Sequence, residues 1–196
     1  MSKKIAIIGT GNVGSALGRG LTKARHEVKL LGEDKAAIRN GVEWADVVML
    51  AVPFGAVADV AATIAPVAGG KTVVDVTNAL TAEMKLAVGF TTSGAEELQK
   101  KLPKAHVVKA FNTQFAQRMD SGRVGEQRVT VFVAADDAAA KSDVTELATA
   151  IGFDAVDAGP LANARLLEPL GFLNIQLGYV LGLGTDIGLQ LVRTKA

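Results

Sequence analysis

The chain predicts an α/β protein: a doubly wound, mostly parallel sheet with a short helical extension at its C-terminus. Three observations carry that prediction. Short β-branched runs alternate with helix-length segments along the sequence, the pattern of a parallel sheet covered on both faces. Most of these runs are continuously apolar, as strands buried on both sides must be. A glycine-rich turn follows the first run without a break and opens a helix-length segment.

In chain order the expected strands cover residues 5–8, 28–31, 47–52, 72–76, 107–110, 129–134 and 155–157. The intervening segments 15–24, 54–65, 95–102 and 138–151 read as helices. Right-handed crossovers between such strands give the double winding. Residues 161–192 read as a longer helical tail with a break near Gly182-Leu183-Gly184. Residues 1–158 therefore form the expected sheet domain. Residues 159–196 form a helical element that completes its cleft within one structural unit.

Charge and composition narrow the function classes. Twenty-one basic residues balance twenty acidic ones for a formal net charge of +1, so nucleic acid is not an expected partner. The chain has no cysteine, which excludes disulfides, thiolate metal sites and a cysteine nucleophile and suits a cytoplasmic setting. The apolar run from Ile5 to Ile8 is only a strand long and flows into the glycine turn, unlike a signal peptide. From Pro169 to Thr185 no residue is charged, but Asn174, Gln176 and several glycines interrupt the run. A bilayer span needs roughly 20 predominantly apolar residues, so a buried or interface helix is expected there and no membrane partner.

Gly9-Thr10-Gly11-Asn12-Val13-Gly14 matches the G-x-G-x-x-G pattern in the right context, after a strand and before a helix. Gly9 permits the tight turn, Gly11 lets backbone approach a pyrophosphate, and Gly14 lets helix and strand pack closely. The free N–H groups and positive dipole end of the helix then receive the phosphates. The fold expected is therefore Rossmann-type, and the expected ligand a nicotinamide dinucleotide. The second strand ends at Gly32-Glu33, with Glu33 19 residues after Gly14, where an acid accepts hydrogen bonds from the adenosine ribose. A carboxylate there favours NAD over NADP, although Lys35 and Arg39 are near enough in sequence to neutralise a phosphate.

In such sheets the ligand lies beyond the carboxyl ends of the strands. The third strand delivers Val52, Pro53 and Phe54 to that edge, with Phe54 free to lie along the dinucleotide. The fourth delivers Asn78, and the fifth delivers Phe111, Asn112, Thr113 and Gln114. Asn78, Asn112 and Thr113 suit the nicotinamide amide; Phe111 and Gln114 are candidates for an adjoining substrate pocket. The two histidines, His26 and His106, precede strands and so fall at the opposite edge. Lys109 precedes the loop, and the sole tyrosine, Tyr179, is in the tail. No side chain is expected to act as a catalytic acid or base; the site is one for positioning, which suits direct hydride transfer between stacked rings.

Three stretches carry a family resemblance: Ile7-Ile8-Gly9-Thr10-Gly11-Asn12-Val13-Gly14, the Val52-Pro53 turn, and the tail from Val156 to Glu168, which reads Val-Asp-Ala-Gly-Pro-Leu-Ala-Asn-Ala-Arg-Leu-Leu-Glu. Nearly end to end, the chain resembles the NADPH-dependent F420 reductases, relatives of the cytosolic reductase domain of membrane ferric reductases. The resemblance implies a Rossmann domain with a short C-terminal helical element, commonly a homodimer. It implies hydride transfer between NADP(H) and the deazaflavin coenzyme F420, or a flavin-like acceptor, in one cleft without an obligatory acid or base. By position Thr10, Asn12 and Val13 would cover the phosphates, the loop from Asn112 would approach the nicotinamide, and Pro160 and Leu161 would help shape the cleft. One departure is plain: where that family usually has Ser-Arg to grip the 2′-phosphate, this chain has Gly32-Glu33.

Two other functions fit the same pattern, a dehydrogenase of a small metabolite and a dinucleotide-binding module without catalysis. About 35 residues after Gly159 leave little room for the helical substrate domain the first usually carries. In the tail, Arg165 and Glu168 are spaced for an i,i+3 surface pair. Leu166, Leu167, Leu170, Leu173, Leu177 and Leu181 repeat at helical spacing; core packing and a dimer contact across the cleft mouth both account for them.

Overall fold

The alternation of short apolar runs builds one large sheet. A computed structural model describes residues 2–194. Its strands β1 (Lys4–Ile8), β2 (Glu27–Leu31), β3 (Val47–Leu50), β4 (Thr72–Asp75) and β5 (His106–Lys109) are parallel. Two more strands, β8 (Thr130–Ala135) and β9 (Asp154–Asp157), complete a seven-stranded sheet in the order β2-β1-β3-β4-β5-β8-β9. A two-residue-per-strand hairpin, β6 (Arg123–Val124) and β7 (Gln127–Arg128), lies outside it. Strand side chains alternate between two cores. Ile5 and Ile7 pack with Leu17 and Leu21 of α1 (Asn12–Lys23) and with Val144 and Leu147 of α5 (Ala138–Ile151). Ala6 and Ile8 face Ile38 and Val42 of α2 (Lys35–Trp44), Ile64 of α3 (Val57–Ile64) and Leu98 of α4 (Gly94–Lys101).

The expected elements form, with three differences that have physical causes. Helix α1 begins at Asn12 rather than Ser15, because Gly11 already occupies the cap position and accepts from the Ser15 N–H at 2.9 Å. Helix α2 has no counterpart among the expected helices. Asp34 starts it by accepting from the Ala36 and Ala37 N–H groups, the ordinary action of an N-cap acid. The tail is helical only through residue 180: α6 (Ala164–Ile175) continues into a wider turn at Gln176–Val180 and stops. Gly182 and Gly184 then take left-handed φ of 74° and 75°, which ends a helix. Beyond them the chain straps across the start of β8, where Thr130 N–H donates to the Leu189 carbonyl and the Leu191 N–H to Thr130 Oγ1.

Strand β8 runs antiparallel to β5, and β9 follows β8 in parallel. That reversal sends the end of β9 to the amino edge of the main sheet. There the Leu161 N–H donates to Asp136 at 2.9 Å, and Leu161 packs with Leu102 and Ala105. Helix α6 therefore starts at the wrong edge for a ligand and climbs towards the carboxyl edge.

A buried ion cluster anchors that climb. Lys109, Asp75 and Glu168 are 0%, 1% and 1% exposed. The Lys109 ammonium lies 3.0 Å from Asp75 Oδ2 and 3.0 Å from Glu168 Oε1, and donates to the Thr77 carbonyl at 2.6 Å. Glu168 also accepts from the Gly94 and Ala95 N–H groups at the start of α4. Burial pulls the Lys109 pKa down, but Asp75 and then Glu168 outweigh it, and the net shift is upward.

Replacing Lys109 by Met leaves two buried carboxylates without a counter-charge, which costs about 3–5 kcal/mol. Denaturant unfolding at neutral pH should show that loss. Because the folded pKa is raised, the lysine's contribution is complete below its unfolded pKa of about 10.4 and fades only as pH rises through the folded value. A gap between the two proteins that shrinks between pH 6 and 9 would contradict this assignment.

Candidate dinucleotide site

The first βα turn is shaped by three glycines with three different surroundings. Gly9 has φ 120°, a region that L side chains rarely adopt, and a Cβ there would strike the Ala51 carbonyl. A Cβ on Gly14 would strike the Gly9 carbonyl. Around Gly11 nothing lies within 4 Å of where a Cβ would stand. The turn is thus tight against β3 on its inner side and open on its outer side, at the start of α1. No side chain caps that helix, so its first-turn N–H groups face outward at its positive end. An anionic diphosphate fits this open cradle.

A cavity of about 510 Å³ continues from the turn. Gly9, Thr10, Gly11, Gly32, Glu33, Val52 and Pro53, all anticipated, line it. Asn12, Val13 and Gly14 form the start of α1 beside it. Ile38, Ala56, Asp59, Val60 and Thr63 complete the walls and were not anticipated from sequence. The signal was there in part: α3 follows β3 at once, so its first turns must border the same edge. Glu33 is exposed at the end of β2, whereas its neighbour Asp34 is committed to capping α2.

The other predicted residues have different surroundings. The Asn112 amide donates to Asn78 Oδ1 at 3.0 Å and to the Leu167 carbonyl at 2.8 Å, and the Asn78 amide donates to the Asn112 carbonyl at 2.9 Å. The Thr113 carbonyl accepts from Asn174 of α6, and Gln114 donates to the Thr130 carbonyl. These groups fasten the β4 and β5 loops to each other, to α6 and to β8. Phe111 is fully buried, with φ 67° and its ring edge-on to Phe153 at 5.8 Å, so it is core rather than an open pocket wall. Phe54 packs against Gly94 at the start of α4. Pro160 and Leu161 stand at the amino edge, away from the glycine turn, for the reversal of β8 and β9 described above.

Ionisable groups are also accounted for. His26 and His106 lie at the amino edge, where His26 Nδ1 accepts from the Lys3 N–H and His106 faces Asp137 at 3.3 Å. Burial, the N-terminal charge and Lys3 lower the His26 pKa. Arg165 does not pair with Glu168; it forks onto Glu96 at 2.6 and 2.9 Å, which lowers the Glu96 pKa. Tyr179 is exposed and sits edge-on to Phe115 at 5.4 Å. Among the described residues no group of three or more acids and histidines is placed to hold a metal, and no helix is long and apolar enough to cross a membrane.

Comparison with known proteins agrees with this geometry. Residues 4–79 match the family described as NADP oxidoreductase coenzyme F420-dependent. The crystal structure of a candidate F420-dependent NADP reductase from Arthrobacter sp. FB24 superposes with a TM-score of 0.89 at 29% identity, covering 98% of this chain and 100% of that one. A hypothetical protein of Sinorhizobium meliloti superposes at 0.69 with 30% identity, covering 84% and 88%. Metalloreductase STEAP3 of Rattus norvegicus is 38% identical over 102 residues, which is 52% of this chain and 20% of that protein. The phosphate cradle and the four strands that carry it lie within the segment that matches the F420-dependent NADP oxidoreductase family, and the whole chain is similar in fold to the Arthrobacter protein.

Proposed function

We propose that this chain is an oxidoreductase that binds a nicotinamide dinucleotide along the glycine turn and its cavity and passes hydride to or from a deazaflavin or flavin-like acceptor. The observation that carries the reading is the open face of Gly11 at the uncapped start of α1, continuous with the 510 Å³ cavity. Thr10 and Gly11 would border the pyrophosphate, and Glu33 the adenosine ribose. When bound, the reduced nicotinamide supplies a hydride, two electrons with one proton. The chain's part is to bind, orient and exclude water. Lys109 is unsuited to acid–base work, because its ammonium is sealed among three oxygen partners. This favours hydride transfer between rings over oxidation of an alcohol, which needs a base in the cleft.

Glu33 supports NAD over NADP in this chain. A carboxylate can accept from ribose hydroxyls but repels a 2′-phosphate, and it lacks the bidentate donors of arginine.

The tail supports a homodimer. Of the apolar repeat, Leu166, Leu173 and Leu181 are 62%, 53% and 66% exposed, Leu170 and Leu177 are half-buried, and Leu167 is buried. Within α6, Leu166, Leu170 and Leu173 make an uncharged stripe at spacings of four and three, the spacing that pairs helices. The exposed part of the repeat is free for a second copy, whereas Leu167 packs in the core. Light scattering should give twice the chain mass, and Leu173→Glu should give the monomer; a wild-type monomer would refute the dimer.

Mixing the protein with NADH or NADPH and with F420 or a flavin, absorbance near 340 nm should fall; no turnover with any pair would overturn the proposed reaction. Glu33→Arg should improve NADPH affinity relative to NADH by about tenfold, one charge-assisted contact, and an unchanged ratio would remove Glu33 from the ribose. Gly11→Ala should keep its unfolding free energy within about 0.5 kcal/mol yet weaken dinucleotide binding at least tenfold. Gly14→Ala should destabilise the fold itself. Equal destabilisation by both would mean that Gly11 is a packing glycine.

A further inference from the structure

The cavity has a second polar end, away from the glycine turn and Glu33. Helix α3 contributes Asp59, Val60 and Thr63 to it, and Ile38 of α2 contributes to the apolar wall. Among the described residues no ion pair or side-chain hydrogen bond engages the Asp59 carboxylate, and the residue is exposed. Thr63 Oγ1 donates its hydrogen to the Asp59 carbonyl at 2.8 Å, so only lone pairs remain on it. An ionised carboxylate likewise only accepts. The α3 side of the cavity therefore offers the Asp59 carboxylate as an acceptor beside apolar walls made by Ile38, Val52 and Val60, with the Arg39 guanidinium held on the Thr63 carbonyl at 3.2 Å.

We propose that Asp59 is a specificity residue for the base of the dinucleotide, accepting a hydrogen bond from the exocyclic amine of adenine. This rests on the dinucleotide reading of the cavity. With the diphosphate at residues 9–14 and the ribose at Glu33, the volume left for the base is the part bounded by Ile38, Val60 and Asp59. A flat purine suits the apolar walls, and its edge must match the polar groups it meets. Adenine presents an N–H donor at position 6; hypoxanthine presents a carbonyl acceptor. The Asp59 carboxylate, an acceptor only, accepts from the first and repels the second. Lys35, the cationic side chain lining the cavity, enters two residues after Glu33, on the ribose side.

The test is equilibrium binding of NADH and of reduced nicotinamide hypoxanthine dinucleotide, followed by nicotinamide fluorescence, which both ligands share. The wild-type protein should prefer NADH by about tenfold, the worth of one hydrogen bond to a charged acceptor. Asp59→Leu should bring the two affinities together. Asp59→Asn should shift preference towards the hypoxanthine ligand, because an amide can turn its NH₂ towards the carbonyl. A structural role for Asp59 would alter both affinities alike and leave their ratio unmoved. Equal wild-type affinities, or a ratio that neither variant changes, would overturn the role of Asp59 while leaving the dinucleotide site intact. Failure of both ligands to bind the wild-type protein would overturn the site itself and this assignment with it.

Discussion

An ammonium cut off from water is stable only when each of its hydrogens meets an oxygen and its charge is balanced. Lys109 satisfies this at the carboxyl edge of the central strands, with Asp75, Glu168 and the Thr77 carbonyl. Asp75 ends β4, Lys109 ends β5, and Glu168 lies in α6. Glu168 also holds the first N–H groups of α4. Four elements thus share one cluster, which makes the floor of the ligand edge stiff. It also decides the chemistry left to that edge: the lysine that ends β5 is an internal strut.

The reversal of β8 and β9 governs how the tail reaches the site. If β9 ran with β1, residues 158–161 would emerge at the carboxyl edge, the edge that carries the glycine turn. Running against it, β9 delivers them to the far edge, and the tail returns along α6. Contact with the ligand edge is made by the later part of that helix. Gly171 packs so closely on Asn78 and Asn112 that a Cβ would collide with both, and Asn174 binds the Thr113 carbonyl. The tail reaches the loops of the carboxyl edge through Gly171 and Asn174 rather than through Pro160 and Leu161.

This shows where sequence reasoning had purchase. The parallel strands and the glycine turn are local signals: an apolar run of strand length and a turn that only glycines can make. Strand direction after β5 is not local, because pairing β8 in either sense buries the same valines. The identities of Asn78, Asn112 and Thr113 placed them correctly at the carboxyl edge, but composition cannot say whether an amide faces a ligand or another loop. Their partners, Leu167 and Asn174, lie more than fifty residues onward. Helix α2 is legible in principle from Asp34 as a cap with Ile38 and Val42 four apart.

The two ends of the ligand edge divide the labour of recognition. Towards α6 the Asn78 and Asn112 side chains are bonded to each other and Asn174 to the Thr113 carbonyl, so an acceptor there would meet a surface whose shape is set. Towards α2 and α3 the carboxylates of Glu33 and Asp59 have no hydrogen-bond partner among the described residues. Selectivity by charge and hydrogen bonding therefore belongs to the adenosine half, on the proposed reading, and selectivity by shape to the acceptor half. A departure from the usual Ser-Arg pair at Gly32-Glu33 can then change which dinucleotide is held without disturbing the rings that react, because no described hydrogen bond links Glu33 to the Lys109 cluster. The stiffness of one end is what leaves the other free to vary.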